Sequence, residues 1–149
     1  MTTLNKIIIS SFLCACSISS YSQTHQTIDS LSDRAQECLD KGDYMLGCAQ
    51  AYYYQIDSLL NRRYNTLSSL CNTTQKTNLK NEQLKWLSIR DKQFEIIRQK
   101  IHKQAITDGI AGGQDEEMIR IQTNAAFVIS RVKELIDKKP ADYNSAKIK

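Results

Sequence analysis

The chain has a single proline, Pro140, and from Ile28 to Asp137 its Leu, Ile, Ala, Lys, Gln and Arg residues run in long stretches separated by short Gly- or Asn-containing turns. These residue types keep most of their side-chain freedom in a helix, and no stretch alternates apolar and polar positions as a half-buried strand would. An all-α fold is expected. The clearest stripe is Met118, Ile121, Ala125, Val128, Val132 and Leu135, whose spacings of three and four place them on one helical face.

Other stripes follow the same logic. A first helix is expected over about Ile28 to Asp40, closed by Lys41-Gly42, and Asp43 is the candidate cap of a second helix ending near Leu70. That second helix aligns Ala49, Tyr53, Ile56, Leu60, Leu67 and Cys71, with Tyr64 at the margin. Asn72, Thr73 and Thr74 form the next turn and cap. A third helix then carries Leu79, Trp86, Leu87, Phe94, Ile97, Ile101 and Ala105 on its apolar face, with Gly109 at its stop. Each one-sided helix must bury its stripe, and short connections favour antiparallel neighbours. The expected fold is an antiparallel up-and-down bundle of three long helices plus a short N-terminal helix.

Residues 1–22 read as a signal peptide: Lys6 supplies the positive start, Ile7 to Ile18 an apolar core, and Ser20 and Ser22 the small residues before cleavage at Gln23. About a dozen apolar residues fall short of the roughly 20 needed to span a bilayer. The protein is accordingly expected to be secreted or periplasmic. Lipidation at Cys16, within Leu13-Cys14-Ala15-Cys16, is the minority alternative and would give an outer-surface lipoprotein. Residues 23–139 form one helical-bundle domain, and 140–149 are expected to be a disordered polar tail.

Cleavage would leave Cys38, Cys48 and Cys71. Cys48 and Cys71 lie 23 residues apart on one expected helix, roughly 34 Å at about 1.5 Å per residue, far beyond disulfide reach. Cys38 and Cys48 flank a turn and are the candidate disulfide. Cys71 falls on an apolar stripe, where a thiol acts as a small hydrophobe.

With 20 Lys and Arg against 16 Asp and Glu, the formal net charge is +4, and the two signs are interspersed, so nucleic-acid binding is not indicated. His25 and His102 stand apart, without metal-ligand spacing, and are read as solvated. No nucleophile, acid and base fall into a recognisable set, so no enzyme activity and no cofactor are expected.

Cys48-Ala49 opening a long helix, Leu60-Asn61 to Tyr64, then Gln83, Trp86, Arg90 and Asp91, and finally Ser130-Arg131 and Glu134-Leu135, form a pattern. Over about residues 38–137 it resembles the lysozyme-inhibitor LprI N-terminal-like family, small secreted helical domains of bacteria. Members of that family often carry two further cysteines. This chain has Phe94 at the first place and, near the second, Thr123, which fits loss of one disulfide as a unit with Phe94 filling core volume.

The resemblance implies a non-enzymatic protein-binding module, a lysozyme inhibitor or envelope-defence protein; the alternative is a structural or assembly subunit of an envelope complex. Asn61, Tyr64, Trp86, Arg90, Asp91 and Arg131 are the motif residues, expected to serve architecture. Arg90 falls between Trp86, Phe94 and Ile97 on the apolar face, so an ion pair across to Asp57 or Glu134 is expected, with its stem on Trp86. Asp91 is expected to pair with Arg131 or an arginine of the second helix. Many host lysozymes are strongly basic, so a partner surface should be locally acidic, and Asp108, Asp115, Glu116 and Glu117 are the candidates. Of Tyr52, Tyr53 and Tyr54, at least one must face outward.

Overall fold

The computed structural model describes residues 19–144, with side chains from His25 onward. Four helices follow in order: α1 Ser19–Asp40, α2 Met45–Leu70, α3 Thr73–Asp108 and α4 Gln114–Asp137, and a 3-10 turn closes the chain at Pro140–Tyr143. Of the expected leader, residues 1–18 lie outside the described residues and the last four form the first turn of α1. Residues 145–149 of the expected tail also lie outside them.

The antiparallel bundle is as expected, with α1 and α3 running opposite to α2 and α4. Its centre is α4, which packs along α2 and α3 and more lightly against α1, while α1 leans mainly on α2. Ile56, Leu60, Leu67, Leu79, Val128, Val132, Leu135 and Ile136 are all at most 2 % exposed. Removing Leu135 to Ala would cost about 2 to 5 kcal/mol, because the lost contacts and the void add.

Helix ends show where local chemistry acted. Asn72 caps α3: its side chain accepts from the Gln75 N–H at 3.0 Å while Gln75 Oε1 accepts from the Asn72 N–H at 2.8 Å. Gly109 ends that helix in the left-handed conformation, φ 73°. The expected Asp43 cap is not used. Instead Tyr44, at φ 56°, is the residue before α2, and its ring lies over Gly47 so closely that any Cβ there would overlap it. At the far end of α4, Arg63 donates from Nε to the Leu135 carbonyl at 3.0 Å and from Nη2 to the Ile136 carbonyl at 2.9 Å. A cation thus meets the orphan carbonyls and negative end of the helix dipole.

The first helix is not short, since α1 has 22 residues. Nor does the polar tail start at residue 140. Pro140 fixes the backbone of a 3-10 turn, the Lys139 N–H donates to Asp142 at 2.8 Å, and Tyr143 is buried against α3 and α2 with 2 % exposure. Asn78 donates to the Tyr143 carbonyl at 2.9 Å and Gln75 to Asn144 at 2.6 Å. One large aromatic side chain outweighs the polarity of its neighbours.

Cys38 and Cys48 are joined, with their Cα atoms 5.8 Å apart. This bridge staples α1, whose buried apolar side chains among the described residues are Ile28 and Leu31, to the start of α2. The hydroxyls of Ser32 and Tyr52, 2.8 Å apart, add a second link. Cys71 is free and buried.

Candidate functional site

Five aromatic rings form a continuous row across α2, α3 and α4. Tyr54 meets Tyr53 at 6.5 Å, Tyr53 meets Phe94 at 6.4 Å, Phe94 meets Phe127 at 6.3 Å, and Phe127 stacks on Trp86 at 6.1 Å. These separations are in the range of favourable ring pairs. Phe94 packs partly buried against the core rather than within it, while Thr123 turns its hydroxyl onto the Ile119 carbonyl of its own helix. Tyr54, 73 % exposed, is the outward tyrosine.

At the Trp86 end the row meets two guanidinium groups, each centred 5.8 Å from the indole. Their roles are the reverse of the expectation. Arg90 stays at the edge, with its side chain 25 % exposed, over Trp86 and Phe94, and it pairs with its chain neighbour Asp91 at 2.9 and 2.7 Å rather than with Asp57 or Glu134. Arg131 is the buried cation. Its side chain, 2 % exposed, reaches Glu82 at 3.0 Å and Glu134 at 2.8 Å and donates to Gln83 Oε1 at 3.2 and 3.0 Å. Asp91 thus pairs with neither Arg131 nor an arginine of α2. A residue's angle on its own helix shows which side it takes, but not how close a neighbouring helix comes. Asn61 is exposed and donates to Asp57 at 3.1 Å, and Tyr64 packs at the core margin.

The motif residues consequently do not converge on one site. Trp86, Arg90, Asp91 and Arg131 gather at the α3–α4 seam, whereas Asn61 and Tyr64 lie on α2. Each of the six makes contacts within the fold.

The acidic candidates are largely occupied. Glu116 accepts from the Gly112 N–H at 2.6 Å and lies 2.9 Å from His102 Nδ1, and these bonds, the backbone one first, hold its carboxyl below the usual range. His102 is therefore not simply solvated. Glu117 pairs with Arg120, and Asp108 accepts from the neutral Gln104 amide at 2.9 Å, so Asp108 and Asp115 are the outward charges of the group. The pattern is that of a loop lock and helix start.

A different acidic surface escaped the sequence reading. Asp29, Asp33, Glu37 and Asp40 are all exposed, and their spacings of four, four and three place them on the outer face of α1, opposite the buried Ile28 and Leu31. The spacing was readable, but whether that face points outward depends on how α1 seats on α2.

A concave surface is present where α2 and α3 splay over α4. This cleft of about 430 Å³ is lined by Gln50, Tyr53, Tyr54, Phe94, Glu117, Arg120, Ile121 and Asn124. Asn124 is 4 % exposed, and its Oδ1 has no hydrogen-bond partner. Burial first, and then the charge of Asp57, raise the Tyr53 phenol above its ordinary pKa, so it is a neutral donor or acceptor at pH 7. Such a lining offers contact area and directional hydrogen bonds, with no paired nucleophile and base. Among the described residues no group of three or more His, Cys, Asp or Glu side chains could hold a metal ion, and no helix is long and apolar enough to cross a membrane.

Comparison with known proteins places these features in a family. Neither the curated proteins nor the solved structures contain a match. The family model described as lysozyme inhibitor LprI matches residues 32–135, which takes in the disulfide, the aromatic row, Arg131, all of α2 and α3, and most of α4. The chain belongs to the lysozyme inhibitor LprI family.

Proposed function

We propose that the protein is an exported, non-enzymatic binding module that inhibits lysozyme by docking against it through the acidic outer face of α1. The family match over residues 32–135 carries the reading. The expected leader and the Cys38–Cys48 disulfide, a bond that lasts in oxidising compartments, support export. Asp29, Asp33, Glu37 and Asp40 supply the local negative field that a chain of net charge +4 otherwise lacks toward a basic enzyme. The second candidate surface is Asp108 to Glu117, whose carboxylates are mostly engaged within the loop. Exposed Tyr54 adds rigid contact area.

A cell-wall lysis assay with basic lysozymes at several salt concentrations tests this. Inhibition at micromolar protein that weakens with salt is expected, and Asp29→Lys/Asp33→Lys/Glu37→Lys should lose it while Asp115→Lys retains it. Loss in Asp115→Lys alone would move the contact to the loop. Absence of inhibition, with a stable partner recovered from envelope extracts, would instead establish an assembly subunit.

A further inference from the structure

The solvent face of α3 is chemically unlike the rest of the surface. Lys85, Ile89, Lys92, Ile96, Lys100, Lys103 and Ile106 fall within about 60° of a single line along the helix at 3.6 residues per turn. All are exposed, the isoleucines by 49, 56 and 61 %. None of the four lysines makes an ion pair among the described residues. Of the acids of α3, Asp91, Glu95 and Asp108 lie off this strip and are bonded to Arg90, Arg98 and Gln104, while Glu82, one turn ahead of Lys85, is turned to Arg131. An ordinary solvated face mixes both charges and avoids large apolar groups. Here cations alternate with branched apolar side chains and no acid interrupts them.

We propose that this strip of α3 is a docking surface for an anionic phospholipid bilayer. From Lys85 to Lys103 it runs about 27 Å at roughly 1.5 Å per residue along one continuous helix. A flat, negatively charged surface is its complement. The isoleucines enter the headgroup boundary, and the lysine stems lie along the interface with their ammonium groups on lipid phosphates. Charge asymmetry orients the molecule, since α1 packs on α2 and α4 rather than on α3, so its acidic face is directed elsewhere and repelled from the same bilayer. This inference does not depend on lysozyme inhibition.

Sedimentation of the full chain with phosphatidylglycerol-containing vesicles, and with vesicles of phosphatidylcholine alone, tests it. Binding to the anionic vesicles that falls with salt is expected. At about a factor of five per lysine, Lys92→Gln/Lys100→Gln should weaken partitioning about 25-fold. Ile89→Ser/Ile96→Ser should also weaken it, whereas Lys41→Gln/Lys133→Gln, away from the strip, should not. Because every variant shares the same N-terminal stretch, a difference between them reports α3. All six positions are exposed, and unchanged circular-dichroism melting would confirm intact folding. Equal binding to both vesicle types, no binding, binding insensitive to the lysine pair, or capture of a soluble acidic polysaccharide without vesicle binding would each overturn the proposal.

Discussion

Arg131 lies beneath Trp86, its guanidinium carbon 5.8 Å from the indole centroid, while its side chain is 2 % exposed. The ring covers one face of the cation and Glu82, Glu134 and Gln83 satisfy its edge, so charge and hydrogen-bonding capacity are met together. Arg90 reaches the same ring from the wetter side.

This division sets a stability order. Arg131→Ala should destabilise by about 2 to 4 kcal/mol, below the most severe cases because Glu82 and Glu134 are partly exposed and water can reach them. Arg90→Ala should cost about 1 kcal/mol or less, since Asp91 remains solvated at the surface. Urea denaturation of both variants checks this, and equal losses would contradict the assignment.

Reducing the Cys38–Cys48 bridge, or replacing both residues with Ser, should cost about 2 to 3 kcal/mol for a closed loop of this size. With few large apolar anchors on α1, the loss should appear first as faster amide exchange there. In the same native protein, Cys71 should resist thiol reagents until unfolding. It is 6 % exposed, and burial raises its pKa despite the nearby Lys76 charge.

Tyr143 fastens the C-terminal turn and is expected to make alkaline stability fall early. Burial first, then the Glu82 carboxylate, raise its pKa far above the ordinary 10.0, so the fold favours the neutral phenol. Its contribution is complete below pH 10 and is lost as pH rises toward the folded-state value. Tyr143→Phe should flatten that alkaline decline. Truncation after Lys139 should lower stability by about 3 kcal/mol or more, near the cost of deleting a core aromatic. Melting temperatures across pH 8 to 11 provide the measurement.

Glu116 predicts the opposite acid behaviour. The Gly112 N–H and then His102 hold its pKa below the ordinary 4.5, so its contribution is present above that value and disappears as pH falls through the lower folded-state value. Below about pH 4.5 the turn from Gly109 to Gly113 should exchange amide protons faster, and Glu116→Gln should show that exchange already at pH 7. Unchanged Gly112 exchange in the variant would exclude the lock.

The sequence by itself determined the helical periodicity, the breaks at Gly42, Asn72 and Gly109, the Cys38–Cys48 pairing and the stripes that form the core. These depend on neighbours within a turn or two of helix, where propensity, capping and 3.6-residue spacing act. Only tertiary structure decided that Arg131 rather than Arg90 is buried, that Tyr143 leaves a polar tail for the core, and that α2 and α3 splay into a cleft over Asn124. Those outcomes turn on distances between residues 48 or more positions apart, such as Arg131 to Gln83 and Tyr143 to Glu82, which helix packing sets and local sequence does not encode.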